Sequence, residues 1–230
     1  MPPTKLLFVA VAGVFLVVSL PTQANVVNPG QTVSPEVFTL DSEPPLLGGI
    51  SGTFSIGAGQ VTGRWQQVVL VDPLGVTCAG CLDFAFQLSN DPTSLYPIFA
   101  VNVSRYFGVI TNVGYLGDEG DTVPVSVSRG AGGGGIGFSF ATAAADIFPG
   151  YTSPWLVVAT NATAYDSGGF ANIPAYNFTN QTNITTQING LFEPSSQAAP
   201  EPSAVTLIGL GGCGVLMFRM FRFIHARKLF

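Results

Sequence analysis

Residues 82–88, with the sequence LDFAFQL, decide the fold class of this chain. Large apolar residues occupy every second position, and Asp83, Ala85 and Gln87 lie between them. A period of two is typical of a β-strand that turns one face toward a hydrophobic core and the other toward water. We therefore predict a strand here, with Asp83, Ala85 and Gln87 on the solvent side.

Similar short runs rich in Val, Ile, Phe and Tyr occur on both sides of this stretch, separated by Gly, Pro, Ser and Asn. Between the two ends of the chain, no window of twelve or more residues carries the 3.6-residue apolar period of a helix. The pattern favours an all-β fold, an antiparallel β-sandwich of the jelly-roll or immunoglobulin-like type. The other predicted strands are residues 52–56, 60–71, 98–103, 108–115, 123–127, 136–140, 155–165 and 190–192.

We predict that the sandwich covers residues 25–186. The following residues, 187–199, are rich in Gln, Ser, Pro and Ala, a composition typical of an exposed linker. A body of this size can bury a substantial core as one domain.

The N-terminus has the layout of a secretory signal peptide. Lys5 precedes the uncharged apolar run 6–20, and the small residue Ala24 follows. We predict a signal peptide over residues 1–24 with cleavage after Ala24. The alternative is an uncleaved N-terminal anchor.

The C-terminus combines a proline-rich break, an apolar run and a basic end. The run 204–218 predicts a single apolar helix, short for a membrane span, which residues 219–221 would lengthen. Basic residues lie on its C-terminal side, so that end should face the cytoplasm and the body should be exported. The break is Pro200, Glu201, Pro202 and Ser203, and the basic residues are Arg219, Arg222, Arg227 and Lys228.

In this order of parts, residues 200–230 resemble the PEP-CTERM sorting signal of Gram-negative bacteria. The resemblance implies a transient inner-membrane anchor that an exosortase-like membrane transpeptidase recognises and cuts near Pro200–Pro202. It also implies delivery of the mature protein to the cell surface or the exopolysaccharide matrix. The alternative is an ordinary stop-transfer anchor behind a proline-rich linker.

Parts of the body also resemble secreted PEP-CTERM proteins of environmental bacteria, including planctomycetes. These proteins form a group without an established activity, so the resemblance implies a secreted β-domain and no particular chemistry. The matching stretches are residues 82–91 (LDFAFQLSND), 147–153, 155–165 and 190–194.

Composition excludes several classes of function for the body. Its three arginines stand against twelve carboxylates, a net charge of −9, which argues against nucleic-acid binding. The only histidine is His225 in the tail, and no lysine lies between the two ends. Imidazole- and lysine-dependent catalysis is therefore excluded, which leaves carboxylate chemistry.

Cys78 and Cys81 form the only cysteine pair of the body, since Cys213 lies in the C-terminal run. In an exported protein such a pair predicts a local disulfide that fixes a turn. Two free thiols are the runner-up. A redox motif would require a βαβ context, which this sequence does not have.

The densest acid cluster is Asp118, Glu119 and Asp121, a weak calcium candidate because the EF-hand spacing is missing. Trp65 and Trp155 lie in predicted strands, so we interpret them as core residues rather than glycan-stacking platforms. No cofactor is expected.

We therefore expect an exported, non-catalytic structural or adhesive protein of the cell envelope or extracellular matrix. The alternative is a carbohydrate-binding module for exopolysaccharide, and a carboxylate-dependent glycan hydrolase ranks third.

Overall fold

The computed structural model describes residues 25–38, 45–72, 77, 78, 80–117, 122–141 and 146–195. Three groups of predicted sites lie outside these residues: the signal-peptide cleavage site at Ala24, the sorting tail 200–230, and the acid cluster Asp118, Glu119 and Asp121. These stay predictions.

Within the described ranges the chain forms twelve β-strands and no helix, which confirms the prediction of an all-β fold. The strands are β1 (Thr32–Val33), β2 (Glu36–Phe38), β3 (Leu46–Ile56), β4 (Val61–Val71), β5 (Leu82–Asn90), β6 (Ala100–Ser104), β7 (Thr111–Leu116), β8 (Ser126–Arg129), β9 (Gly135–Ser139), β10 (Leu156–Thr160), β11 (Tyr165–Asn177) and β12 (Thr182–Pro194).

The strands form two six-stranded sheets, as in a β-sandwich. Sheet I has the order β2-β7-β10-β5-β4-β3, and sheet II has the order β1-β8-β9-β6-β11-β12. All pairs are antiparallel except β2 and β7, which run parallel. The prediction of a purely antiparallel arrangement therefore needs this one correction at the edge of sheet I.

One hydrophobic core joins the inner faces of both sheets. In β5, at the centre of sheet I, the side chains of Leu82, Phe84, Phe86 and Leu88 are all buried in this core. Sheet II contributes residues such as Val101, Ile136, Phe138 and Ile173. The alternation in residues 82–88 thus correctly predicted which side chains of β5 face inward.

The other face of β5 differs from the prediction. Asp83 and Ala85 are buried rather than wet, and Gln87 is half-buried. A second, smaller apolar cluster lies on this outer face of sheet I, where side chains from five adjacent strands meet. Its buried members are Phe38, Leu70, Ala85 and Val157, with Val68, Leu116 and Trp155 packed against them.

A buried glutamine links the two sheets. The Gln67 side chain is 1% exposed and points from β4 to the backbone of β12. Its Nε2 donates to the Phe192 carbonyl at 3.0 Å, and its Oε1 accepts from the Phe192 N–H at 2.7 Å. The side-chain amide of Gln67 therefore makes two hydrogen bonds with β12 like those that the backbone of a neighbouring strand would make.

The predicted linker 187–199 is wrong over residues 187–194, and the domain does not end at 186. β12 continues to Pro194 and pairs with β11, with Ile188 and Leu191 buried. Gly190, with φ +80°, is an extra residue in β12, because Gly169 pairs with Leu191 and Phe170 pairs with Asn189. The buried residues Ile188 and Leu191 are therefore three positions apart instead of two. This bulge hides the period of two that would have identified the strand.

The hairpin of β11 and β12 is the longest in the molecule's described part, and the sequence analysis missed most of it. β11 contains Gly, Asn and Pro, residues that normally mark turns. Apart from Ile173, its buried positions are filled by small or polar side chains such as Ala171, Ala175 and Asn177. The predicted single strand 155–165 is instead the end of β10 at Thr160 and the start of β11 at Tyr165.

Candidate functional site

Both tryptophans are used in packing. Trp65 projects from β4 against the main core, where its ring stacks on Phe86 with centroids 6.3 Å apart and an interplanar angle of 11°. A Cβ at Gly52 would lie 2.9 Å from the Trp65 indole, so only glycine fits beneath it. Trp155 packs against the second apolar cluster. Both indoles are half-buried by these contacts.

A polar groove of about 490 Å³ lies on the outer face of β3, β4 and β5. The Gln66 Nε2 donates to the Gln87 Oε1 on its floor, and Arg64 contributes a positive charge. No carboxylate lines the groove among the described residues. Its remaining polar side chains are Ser51, Thr53, Ser89 and Thr152.

A second depression, the aromatic cleft, lies beside the β11–β12 hairpin and has a volume of about 500 Å³. Four aromatic side chains line it, together with one carboxyl and one amide. Tyr176 and Phe178 meet edge to face at 5.1 Å and 78°, and Phe178 is 57% exposed. Its aromatic and polar lining residues are Phe99, Phe148, Tyr176, Phe178, Asp146 and Asn183.

The hairpin turn holds Phe178 in this position. The Asn177 Oδ1 accepts hydrogen bonds from the backbone N–H groups of Thr179 and Asn180, at 2.9 and 3.1 Å. This local turn motif of asparagine fixes the backbone next to Phe178. The exposed ring is therefore presented by ordered backbone.

Asp146 supplies the carboxyl group of the aromatic cleft. Its Oδ1 is buried and has no hydrogen-bond partner among the described residues. Burial raises the pKa of this carboxyl above its usual value. A ligand hydroxyl would give the buried oxygen the donor that it lacks.

A pair of carboxyl groups lies at the outer end of the β11–β12 hairpin. Asp166 and Glu193 are cross-strand neighbours, and Arg105 approaches the Glu193 Oε2 at 3.8 Å. Burial, and then the contact with Asp166, raise the pKa of Glu193 to about 7 although Arg105 opposes the shift. Two carboxyl groups can bond to each other only through a proton, so the contact favours protonated Glu193.

We expect this pair to make stability pH-dependent. The pKa of Glu193 is higher in the folded protein, about 7, than its ordinary value of 4.5, so the folded state holds the proton more tightly. Its contribution to the free energy of unfolding is full below about pH 4.5 and falls as the pH rises to about 7. Urea titrations of the wild type and Glu193→Gln across this range should show a difference that declines with pH. If the difference in unfolding free energy between the two proteins does not change with pH, the raised pKa of Glu193 is wrong.

A second carboxyl pair, Asp72 and Asp83, lies on the outer face of sheet I. Asp83 is 1% exposed, and its carboxyl group contacts that of Asp72, the residue after β4. Burial first, and the charge of Asp72 second, raise the pKa of Asp83 to about 8. The Thr160 backbone N–H opposes this shift, but neither Asp83 oxygen makes a hydrogen bond of good geometry among the described residues.

Cys78 and Cys81 are joined by a disulfide in the β4–β5 connection, with Cα atoms 5.4 Å apart. The Cys81 N–H donates to the Cys78 carbonyl at 3.1 Å, and Gly80 adopts φ +79° in the turn between them. Cys81 is completely buried and Cys78 is half-buried. The location favours a structural role in holding this connection.

Other kinds of site are restricted within the described ranges. No group of three or more His, Cys, Asp or Glu side chains is arranged to hold a metal there. Over the same part of the chain, no helix is long and apolar enough to cross a membrane.

Comparison with known proteins gives no relative. No protein-family profile, no curated protein and no solved structure matches the chain significantly.

Proposed function

We propose that this chain is an exported, non-catalytic protein of the cell envelope or extracellular matrix, with a structural or adhesive role. The observation that carries the proposal is the placement of its carboxylates. Asp83 is buried against Asp72, and Glu193 is engaged by Asp166 and Arg105. Within the described residues, Asp146 is the one carboxylate that lines either depression, whereas glycan hydrolysis requires a facing pair.

Export and sorting belong to the same proposal. The signal peptide 1–24 leads the chain out, and the tail holds it at the inner membrane until an exosortase-like transpeptidase cuts near Pro200–Pro202. The protein then stays at the cell surface or in the extracellular matrix. The disulfide supports an oxidising destination, and the net charge of −9 in the body supports a partner other than nucleic acid.

The sorting signal is tested by replacing Pro200, Glu201 and Pro202 together with alanine in the full-length chain. In a host with an exosortase we expect the uncut precursor to accumulate in the inner membrane and surface delivery to be lost. Mass spectrometry of the processed end and surface labelling measure the two effects. Ser195→Ala, just upstream, is the control that should be cut normally. Normal processing of the triple variant would refute sorting by this motif.

A second candidate function is polysaccharide binding, and the aromatic cleft is the observation that favours it. Sugar rings pack their apolar faces on aromatic side chains, while their hydroxyls pair with carboxyl and amide groups. Phe178 and Tyr176 supply rings, and Asp146 and Asn183 supply polar groups beside them. For this second candidate function we therefore propose the aromatic cleft, rather than Trp65 or Trp155, as the binding site.

We expect Phe178→Ala and Tyr176→Ala each to weaken binding to the producing cell's own exopolysaccharide by about tenfold. Isothermal titration calorimetry on the processed protein measures the change. Leu95→Ala is the matched control, because Leu95 is 65% exposed and does not line the cleft. Equal affinity of all four proteins would exclude the cleft as the binding site.

A further inference from the structure

The contact between Asp72 and Asp83 is part of a connected polar cluster, which we call the carboxyl cluster. The Thr77 N–H donates to the Asp72 Oδ2 at 3.1 Å, and the Asn112 Nδ2 donates to the Thr77 Oγ1 at 3.1 Å. The four side chains of the cluster come from the β4–β5 connection, β5 and β7. They are Asp72, Thr77, Asp83 and Asn112.

Sheet register places Asp83 and Asn112 on the same face. Both pair with Ala159 of β10, which lies between them. Adjacent strands are about 4.8 Å apart, so the two Cα atoms are separated by about 10 Å. Ala159 is completely buried and has only a methyl side chain, so no bulky group lies between the two longer side chains on this face.

Three buried oxygen atoms of this cluster make no hydrogen bond of good geometry among the described residues: Oδ1 and Oδ2 of Asp83 and Oδ1 of Asn112. The Asp83 carboxyl has two polar neighbours, the Asp72 carboxyl and the Thr160 backbone N–H, and the N–H by itself does not balance two adjacent carboxyl groups. Asp83 is 1% exposed and Asn112 is 3% exposed. A buried acceptor without a donor destabilises the folded state, and a buried unpaired carboxylate does so much more. The cluster therefore requires a positive charge or a donor.

The arginines of the body do not supply that charge. Arg129 is bound to backbone carbonyls elsewhere, and Arg105 is engaged with Glu193. Arg64 lies six residues along β4 from Leu70, the residue that pairs with Asp83, which is a distance of about 20 Å. Since the body has no lysine or histidine, the positive charge has to come from solution, either as a proton shared by the two carboxyl groups or as a metal ion.

We propose that the carboxyl cluster binds a divalent cation, Ca²⁺, through the side-chain oxygens of Asp83, Asp72 and Asn112. Carboxylate and amide oxygens are hard ligands, which suit Ca²⁺ and do not suit metals that prefer imidazole or thiolate. The nearby cysteine sulfurs are bonded to each other in the disulfide. The ion gives the buried oxygens of Asp83 and Asn112 a partner, and it ties the β4–β5 connection to β5 and β7.

The test is a titration of the full-length chain with Ca²⁺ after treatment with a chelator. Extracellular calcium sites bind with dissociation constants of about 10⁻⁴ to 10⁻³ M, so about 10 mM Ca²⁺ should raise the Tm of the wild type by about 5 °C. Calorimetry should show saturable heat with about one ion per chain. Asp83→Asn should lose both responses.

Asp83→Asn is suitable because it should fold. Its amide can donate a hydrogen bond to the Asp72 carboxylate in the position that a proton or a cation would otherwise fill. Asp91→Asn is the matched control, since Asp91 comes directly after the same strand and should keep the full Ca²⁺ response.

Two results would overturn the proposal. If Ca²⁺ leaves the Tm of the wild type unchanged, the pair is neutralised by a shared proton alone. If Asp83→Asn keeps the Ca²⁺ response of the wild type, the ion binds elsewhere, for example at the acidic residues 118–121. The Tm and the heat of Ca²⁺ binding do not depend on polysaccharide binding or on sorting. A negative result would therefore overturn the calcium site without affecting the proposed function.

Discussion

Replacing Arg129 with methionine is expected to lower the free energy of unfolding by about 3–5 kcal/mol, the largest effect of any single polar substitution considered for this protein. Arg129 is 5% exposed and lies at the end of β8. Its guanidinium group makes five hydrogen bonds and no ion pair within the described residues. The acceptors are the carbonyls of Gly133 (2.8 Å), Val27 (3.2 Å), Tyr106 (2.9 Å) and Val109 (2.9 Å) and the Thr111 hydroxyl (3.0 Å).

The size of this effect follows from what the five acceptors connect. They belong to the segment before β1, the β6–β7 connection, β7 and the β8–β9 hairpin, so one side chain joins four parts of the fold. Methionine would fill the space but would leave buried carbonyl groups without donors. Burial lowers the pKa of Arg129, yet an arginine remains charged and donates all five hydrogen bonds.

Urea denaturation monitored by tryptophan fluorescence measures the loss. Arg129→Lys should recover only part of it, because an ammonium group has three donors and cannot reproduce the planar geometry of five. Arg64→Met is the control, since Arg64 is exposed, and it should change stability by less than about 0.5 kcal/mol. A loss below about 1 kcal/mol for Arg129→Met would show that water replaces the guanidinium group at little cost.

Phe84→Ala is expected to cost about 3–5 kcal/mol, the second large effect. Phe84 is 1% exposed in the central strand β5, where it lies between Val69 and Val158 of the neighbouring strands. Its ring meets Tyr106 edge to face, with centroids 5.7 Å apart and an interplanar angle of 87°. Alanine removes most of these contacts and leaves a cavity that strands paired on both sides cannot close.

The same denaturation experiment tests this value. Phe84→Leu should cost about 1–2 kcal/mol, since it keeps part of the buried volume. Phe178→Ala is the matched control, because Phe178 is 57% exposed and loses only its edge-to-face contact with Tyr176, so it should change stability by about 1 kcal/mol or less. If Phe84→Ala and Phe178→Ala destabilise equally, the core as described here is wrong.

Fold class was predictable because it depends on short-range pattern. In β5 the alternation of Leu82, Phe84, Phe86 and Leu88 correctly assigned four core residues. Prediction failed where the pattern was interrupted, as at the bulge of Gly190, or where small and polar residues fill inward positions, as in β11. In these places the strand is stabilised by pairing with a neighbouring strand, and the local sequence pattern carries no information about that partner.

The candidate sites were much less predictable. The interpretation of Trp65 and Trp155 as packing residues agrees with the structure, in which both half-buried rings pack against the apolar clusters. The aromatic cleft was missed, since its rings come from the segment before β6, the segment before β10 and the β11–β12 hairpin. One signal was available: Tyr176 and Phe178 are two large rings close together in an Asn- and Thr-rich stretch.

By itself, the sequence determined that this chain forms β-strands, which side chains of β5 enter the core, and that its body contains no histidine or lysine. Only the tertiary structure decided that Asp83 is buried, that Gln67 joins the two sheets and that Arg129 holds four segments together. The physical reason is the range of the interactions. The alternation of side chains follows from the geometry of neighbouring backbone residues. Burial and long-range hydrogen bonds instead depend on partners far apart in sequence, such as Gln67 and Phe192, which are 125 residues apart.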